Sequence, residues 1–297
     1  MISIARELDS YDIAQEIRQE RQIHKGAFLL LEGDRDIKRF SKFVDENACS
    51  IQNCFGRENL LGAIELLIDE GFPGVLGLAD ADFDRLNGCL ARNEAVIYSE
   101  THDFDLDISR SDVLRRYLDE VANQEKCAVV GGHEAVRTWV YDACRPLSVL
   151  RHISHTQKMG YRLDRINHGD ICVDWVIDVR LLVEHVSTGR YAVEQRKQEM
   201  SRRINNHLAG RIDDEQLTNG HDFFAMLGLA LQDKFGNRRP AQAWASEVEM
   251  HFRLAFSEDD FVGTNLFLAI LIWQDENKPY LILKASLIAR DPRNFSS

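Results

Sequence analysis

Two short, unbroken apolar runs, Ala27 to Leu31 (AFLLL) and Gly74 to Ala79 (GVLGLA), constrain this chain more than any other feature. A strand with one wet face alternates apolar and polar residues. A continuous run this short must instead be covered on both faces, as a strand inside a parallel sheet is. Residues 57–70 place Leu60, Leu61, Ile64, Leu67 and Ile68 at helical spacing, with Gly71 as the stop. Ile37, Phe40, Phe43 and Val44 mark the core face of another helix, ending near Asn47, and Cys49 to Phe55 and Ala95 to Tyr98 read as two further strands. Ile13 and Ile17 give the segment from Asp9 to Arg21 an amphipathic helical face. Strands and helices alternating over short loops predict an α/β fold, a parallel sheet flanked by helices and joined by right-handed crossovers.

Beyond about residue 108 the pattern turns helical, near 110–122, 133–143, 176–187, 191–208, 222–235 and 242–256. The expected division is therefore 1–108 for the sheet and its N-terminal helix, and 109–297 for a mainly helical region. Leu163 to Val173 is the one segment there that could return a strand to the sheet. With 297 residues the chain can bury a core without disulfide staples. None of the six cysteines forms a C-x-x-C pair, and MISIARELDSYD has no apolar signal core, so a reduced, cytoplasmic location is expected. The most apolar stretch, Phe261 to Trp273, is broken by Gly263, Thr264 and Asn265 and falls short of the ~20 residues of a membrane span.

Three acidic clusters follow the expected strands: Glu32-Gly-Asp34-Arg-Asp36, Asp80-Ala-Asp82-Phe-Asp84 and Asp103-Phe-Asp105-Leu-Asp107. Carboxylates crowded at one sheet edge repel one another unless a divalent cation sits among them, and Mg²⁺ or Mn²⁺ suits oxygen donors and phosphates. A calcium loop of the EF-hand kind is excluded, because Arg85 stands where Gly is required and Ala91 where the bidentate Glu belongs. His152-x-x-His155, with Cys144 or Cys172, lacks a second ligand pair at zinc spacing. No phosphate-cradling glycine motif follows any strand, so any ATP chemistry belongs to a partner.

FLLLEGDRD followed by VLGLADADFD resembles a Toprim domain, the metal-binding core shared by topoisomerases, bacterial primases and OLD-type nucleases. The resemblance implies Glu32 as metal ligand or general acid/base, Asp80 and Asp82 as holders of Mg²⁺, and Asp36 as the second acid of an E-G-x-x-D form. Asp84 extends the same acidic set. ETHDFD, NGHDFFAMLGLAL (Asn219 to Leu231) and FVGTNLFLAILIW are similar to the Toprim-plus-helical family that includes the effectors of the PARIS anti-phage system. His102, Asp103, His221 and Asp222 match that pattern, either as catalytic auxiliaries or as residues that orient loops and cap helices. Asp105 stands where relatives carry a Glu. The likeness implies a tRNA-cutting nuclease, restrained by an ATPase partner and active as a homodimer.

The net charge of −12 would repel nucleic acid if spread evenly, but it is segregated. Residues 80–107 hold eight acids against two Lys/Arg, whereas residues 137–165 and 190–211 each hold six Lys/Arg against two acids. Arg151, Lys158 and Arg162 from the first basic segment and Arg196, Lys197, Arg202 and Arg203 from the second are candidate walls of a phosphate-tracking groove. Trp139, Tyr141 and Tyr161 lie in or beside it as candidate base-stacking rings. The chemistry of metal and phosphate is common to RNA and DNA. An OLD-type DNA endonuclease and a non-catalytic Mg²⁺-binding interaction module are the rival readings. Phe261 to Trp273 serves either as partner surface or as core.

Overall fold

The computed structural model of the protein describes residues 8–163 and 166–295. Each apolar run becomes a strand buried along its whole length, β1 (Ala27–Leu31) and β3 (Val75–Ala79). β2 (Cys49–Asn53) pairs with the far side of β1 and β4 (Val96–Tyr98) with the far side of β3, all in parallel, in the order β2-β1-β3-β4. The fold is thus mixed α/β, a four-stranded parallel sheet flanked by helices.

Helix α1 (Ser10–Glu20) starts at Asp9, whose side chain accepts the amides of Tyr11 and Asp12 in a capping box. Its Ile13 and Ile17 meet Leu60, Ala63, Ile64 and Leu67 of α3 (Arg57–Asp69), and both helices cover Phe28, Leu30, Val75 and Ala79 of the sheet. Each of the Val, Leu, Ile and Phe side chains among them contributes roughly 1.5–3 kcal/mol by leaving water. The buried stripe of α3 is narrower than its apolar pattern, for Ile68 remains 42% exposed. A Cβ at Gly77 of β3 would stand 2.3 Å from Ile64 Cδ1, so glycine there sets how closely α3 approaches the strand. α2 (Asp34–Phe40) ends sooner than expected and passes into a 3₁₀ turn over Ser41–Phe43. Phe40, Phe43 and Val44 are buried.

The described residues fall into two units, one within Met1–Asp80, Ala91–Ser99 and Phe256–Ser297, the other within Ala81–Leu90 and Glu100–Ala255. The division expected at residue 108 is therefore not where the chain divides. The C-terminal segment belongs with the sheet because Phe261 stacks on Phe43, with ring centres 4.1 Å apart and planes 9° off parallel. Phe261, Phe267, Ile270, Leu271 and Trp273 are core, the second of the two roles open to that stretch, while Ile272 stays 42% exposed.

The second unit is helical: α4 (Phe104–Ser109), α5 (Val113–Val121), α6 (Gln124–Val130), α7 (His133–Thr156), α8 (Val179–Val186), α9 (Glu194–Leu208), α10 (Asp214–Leu217), α11 (Gly220–Gln232) and α12 (Ala245–Ala255). α7 runs on through Pro146, which removes one amide donor, and buries Val140, Cys144, Leu147 and Leu150. α11 is apolar on nearly every side and correspondingly buried, as Phe223, Phe224, Met226 and Leu227 are. The segment Leu163 to Val173 returns no strand to the four-stranded sheet; its one strand, β5 (Cys172–Val173), forms a hairpin with β6 (Val176–Ile177). Asp174 and Trp175 between them have φ of 51° and 62°, a left-handed pair that closes such a hairpin tightly. Asp164 and Arg165 lie outside the described residues. Among the described residues no helix is long and apolar enough to cross a membrane.

Candidate functional site

In the first unit the strand order turns back at β1 and β3, from which the chain runs outward to β2 on one side and β4 on the other. A crevice opens at such a switch point, outside the carboxyl ends of the strands. Glu32 directly follows β1 and Asp80 directly follows β3, and Leu31 is in register with Leu78, so the two acids leave the same edge together. The Asp80 amide donates to Glu32 Oε1 at 2.7 Å. Arg57, the first residue of α3, donates from Nε to the Asp80 carbonyl at 2.9 Å, and its guanidinium lies over the Tyr98 ring. Burial, reinforced by the charge of Glu32, pushes the neighbouring Cys54 thiol up to about 12, so it stays protonated. Arg57 went unread in the sequence, where the only sign of it was a basic residue opening the helix after β2.

Asp36 accepts from Arg39 at 2.5 Å within α2, and Arg39 is only 2% exposed. Asp34 accepts from Asn53 Nδ2 at 2.7 Å. The second acid of the E-G-x-x-D form is thus engaged by its own helix.

The D-x-D is where the chain passes from one unit to the other: Asp80 closes a segment of the first, and Asp82 belongs to the second. Asp82 has φ of 46°, a left-handed conformation that Asp tolerates better than most residues. Its amide donates to the His102 carbonyl at 2.8 Å, and its Oδ1 stands 3.8 Å from His102 Nε2. His102 is 5% exposed; its amide donates to the Glu215 carbonyl, its Nδ1 lies 3.2 Å from the Gln216 carbonyl, and the Phe83 ring meets it edge-on at 4.7 Å. Burial pushes the imidazole down from its ordinary value, with Asp82 pulling the other way. Asp84 receives Cys89 Sγ at 3.4 Å within the turn that follows.

The third acidic cluster ends no strand; it builds the start of α4. Asp103 Oδ1 caps the amide of Leu106 at 2.9 Å, and its Oδ2 accepts the amide of Gly220 at 2.6 Å, tying α4 to α11. Asp107 accepts the amides of Glu100 and Thr101. A Cβ at Gly220 would lie 2.4 Å from Cβ of Asp105, so Asp105 stands in close contact with the α11 terminus. His221 is exposed on α11.

Asp222 is fully buried. It accepts from Arg151 Nε at 2.6 Å, Arg151 Nη2 at 2.9 Å and His168 Nε2 at 2.9 Å. Burial alone would raise this carboxyl, but His168 and Arg151 together overturn that and hold it well below the usual range. Arg151, expected on a phosphate-tracking wall, is instead committed to this buried pair and to the Leu163 carbonyl. Tyr141 is likewise core, packed on Phe223, and Trp139 meets Phe235 edge-on beneath Lys234.

The remaining basic candidates are outward-facing. Lys158, Arg162, Arg196 and Arg202 are exposed, and Arg203 is half-buried. Lys197 pairs with Glu184 at 2.5 Å and Arg202 with Glu199. Tyr161 and Tyr191, both half-buried, lie with ring centres 4.3 Å apart and planes tilted by 33°; burial raises the Tyr161 phenol, and Arg203 and Arg196 draw it back down.

Glu32 and Asp80 bring two carboxylates, both hard oxygen donors, to the same edge of the sheet. Mg²⁺ is commonly held through one or two carboxylates, with water and substrate phosphate completing its shell, so this pair fits such an ion. Among the described residues no group of three or more His, Cys, Asp or Glu is placed to hold a metal ion as a cage. No protein-family model matches the chain, and no curated protein sequence matches it.

Proposed function

We propose that this protein is a Toprim-class metal-dependent phosphodiesterase, an endoribonuclease whose substrate is tRNA and whose role is that of effector in an anti-phage system. The observation that carries the reading is the Glu32 and Asp80 pair at the β1/β3 switch point, joined by the 2.7 Å bond from the Asp80 amide to Glu32. Bound there, Mg²⁺ or Mn²⁺ supplies Lewis acidity to a phosphoryl oxygen and a more acidic water. Asp80 would hold the ion, and Glu32 would share it or accept at its carboxylate the proton of the attacking water. Arg57, anchored on the Asp80 carbonyl, brings permanent positive charge to the edge where a phosphate would bind. Arg196, Arg203 and the Tyr161–Tyr191 pair favour RNA, whose unpaired bases stack on aromatic rings while cations follow the backbone.

Unrestrained cleavage of tRNA would halt the host's own translation. The reading therefore includes an ATPase partner that restrains the protein and a homodimer as the active form. The test is expression of the chain without a partner, followed by sequencing of RNA ends in cells beside a Glu32→Ala control. Discrete tRNA breaks that vanish in the control support the reading. Breaks that persist in Glu32→Ala remove the proposed site, and plasmid nicking with intact tRNA redirects it to a DNA endonuclease.

A further inference from the structure

Three polar atoms of the helical unit are shut off from water and have no hydrogen-bond partner among the described residues: Tyr117 Oη on α5, His251 Nδ1 on α12, and Arg238 Nε on the segment between α11 and α12. Native proteins leave few such atoms, and each calls for an explanation. Here the three residues share one, because all of them line a single cavity of about 410 Å³, within the size range of small-molecule sites. The Tyr117 ring is 6% exposed and packs against Phe252, with ring centres 5.0 Å apart, and against His251, at 5.9 Å. Burial pushes its phenol up to about 12, with the charge of Arg238 pulling the other way, so the hydroxyl keeps its proton and lies within the field of that guanidinium. The phenolic O–H and the guanidinium N–H can both donate, and His251 offers an N–H or a lone pair according to its tautomer. Donors beside a permanent positive charge suit an anionic oxygen acceptor.

Arg116 lines the cavity too, but it is tied to Asp112 at 3.3 Å and to the Ala255 carbonyl at 3.1 Å, which leaves Arg238 to meet a ligand. Glu120, the acid of the lining, is exposed, where water and salt screen its charge. Val121 and Leu254 add apolar wall, and Leu254, 74% exposed at the mouth, can turn aside as a ligand enters. We infer that this cavity binds a small organic monoanion, a carboxylate on a flat aromatic body, with its carboxylate on Tyr117 Oη and Arg238 Nε and its body against Val121, Leu254 and the Tyr117 ring. The site lies wholly within the helical unit and uses none of the residues proposed for phosphodiester cleavage, so it stands independently of that reading.

The probe is 2-naphthoate, titrated calorimetrically into the purified full chain at neutral pH, with 2-naphthamide as its uncharged counterpart. The wild-type protein is expected to bind one equivalent of the carboxylate with a Kd of about 1 mM or tighter, and the amide about tenfold more weakly or worse. Tyr117→Phe and Arg238→Gln should each weaken the carboxylate by about tenfold, whereas Arg180→Gln, which removes the same charge from an exposed position, should leave it unchanged. Without the probe, Tyr117→Phe takes away only an unpartnered hydroxyl, so its urea midpoint should hold or rise. No binding by the wild type, equal binding of the amide, or affinity that survives both cavity substitutions would each overturn the inference. So would a lowered midpoint with unchanged affinity in Tyr117→Phe, the mark of a hydroxyl that serves ordered water alone. Should Arg238→Gln fail to fold, Tyr117→Phe and the amide still decide the matter. Neither RNA nor metal enters the assay, so failure here leaves the strand-end reading standing, and loss of Glu32-dependent cleavage leaves this one standing.

Discussion

Glu32 in the sheet unit and Asp222 in the helical unit are the same kind of group put to opposite uses. Glu32 stands just past the end of a strand at a switch point, half-buried beside a second acid. Asp222 is fully enclosed and its charge is neutralised by Arg151 and His168. What separates them is whether the backbone delivers the carboxylate to a strand-end edge or to an interior with matched cations. On the proposed reading an acid of the first kind matters more to chemistry than to folding, and one of the second kind the reverse.

The largest expected effect tests the first half of that contrast. Glu32→Ala should cut Mg²⁺-dependent RNA cleavage by about 10²–10⁴-fold, measured as single-turnover rates, with the urea unfolding midpoint nearly unmoved. Asp222→Asn should do the converse, destabilising the protein by about 3–5 kcal/mol, because it leaves the buried Arg151 charge uncompensated. Urea titration followed by circular dichroism reads this out. The same carboxyl is held below its unfolded value of about 3.9. Its contribution is therefore complete above that pH and is lost as pH falls through the folded value, and Asp222→Asn should flatten this part of the acid-unfolding curve. A smaller effect should follow Gly77→Ala, which drives a Cβ against Ile64 and should cost about 1–3 kcal/mol in the sheet unit. The smallest belongs to the exposed helix α9. Arg196→Ala should weaken RNA binding only a few-fold and lower the slope of log affinity against log salt by about 1, in filter-binding or anisotropy titrations.

The sheet unit was largely legible because its signals are local. AFLLL and VLGLA must be doubly covered strands, and an acid directly after each lands at the carboxyl edge whatever the helices do. Even there the sequence left out the segment from Phe256 onward, since nothing in FVGTNLFLAILIW announces that Phe261 will stack on Phe43. The helical unit was less legible. Pro146 reads as a helix stop, but burial of Cys144, Leu147 and Leu150 on either side keeps α7 continuous. Arg151 looked like one more cation on a basic stretch, and only the fold places Asp222, Arg151 and His168 together from three separate segments. The approach of His102 to Asp82 was hidden for the same reason, because no spacing reveals that a loop twenty residues on returns to the D-x-D.

The chain passes between its two units at four places, between residues 80 and 81, 90 and 91, 99 and 100, and 255 and 256. Neither unit is thus a continuous stretch of polypeptide, and no single cut yields either one whole. Truncation after residue 255 would strip the parallel sheet of Phe261, Phe267 and Trp273 while sparing every proposed catalytic residue. A fragment that keeps the entire acidic motif should therefore be insoluble, and expressing either unit by itself calls for rejoining its separate segments rather than for shortening.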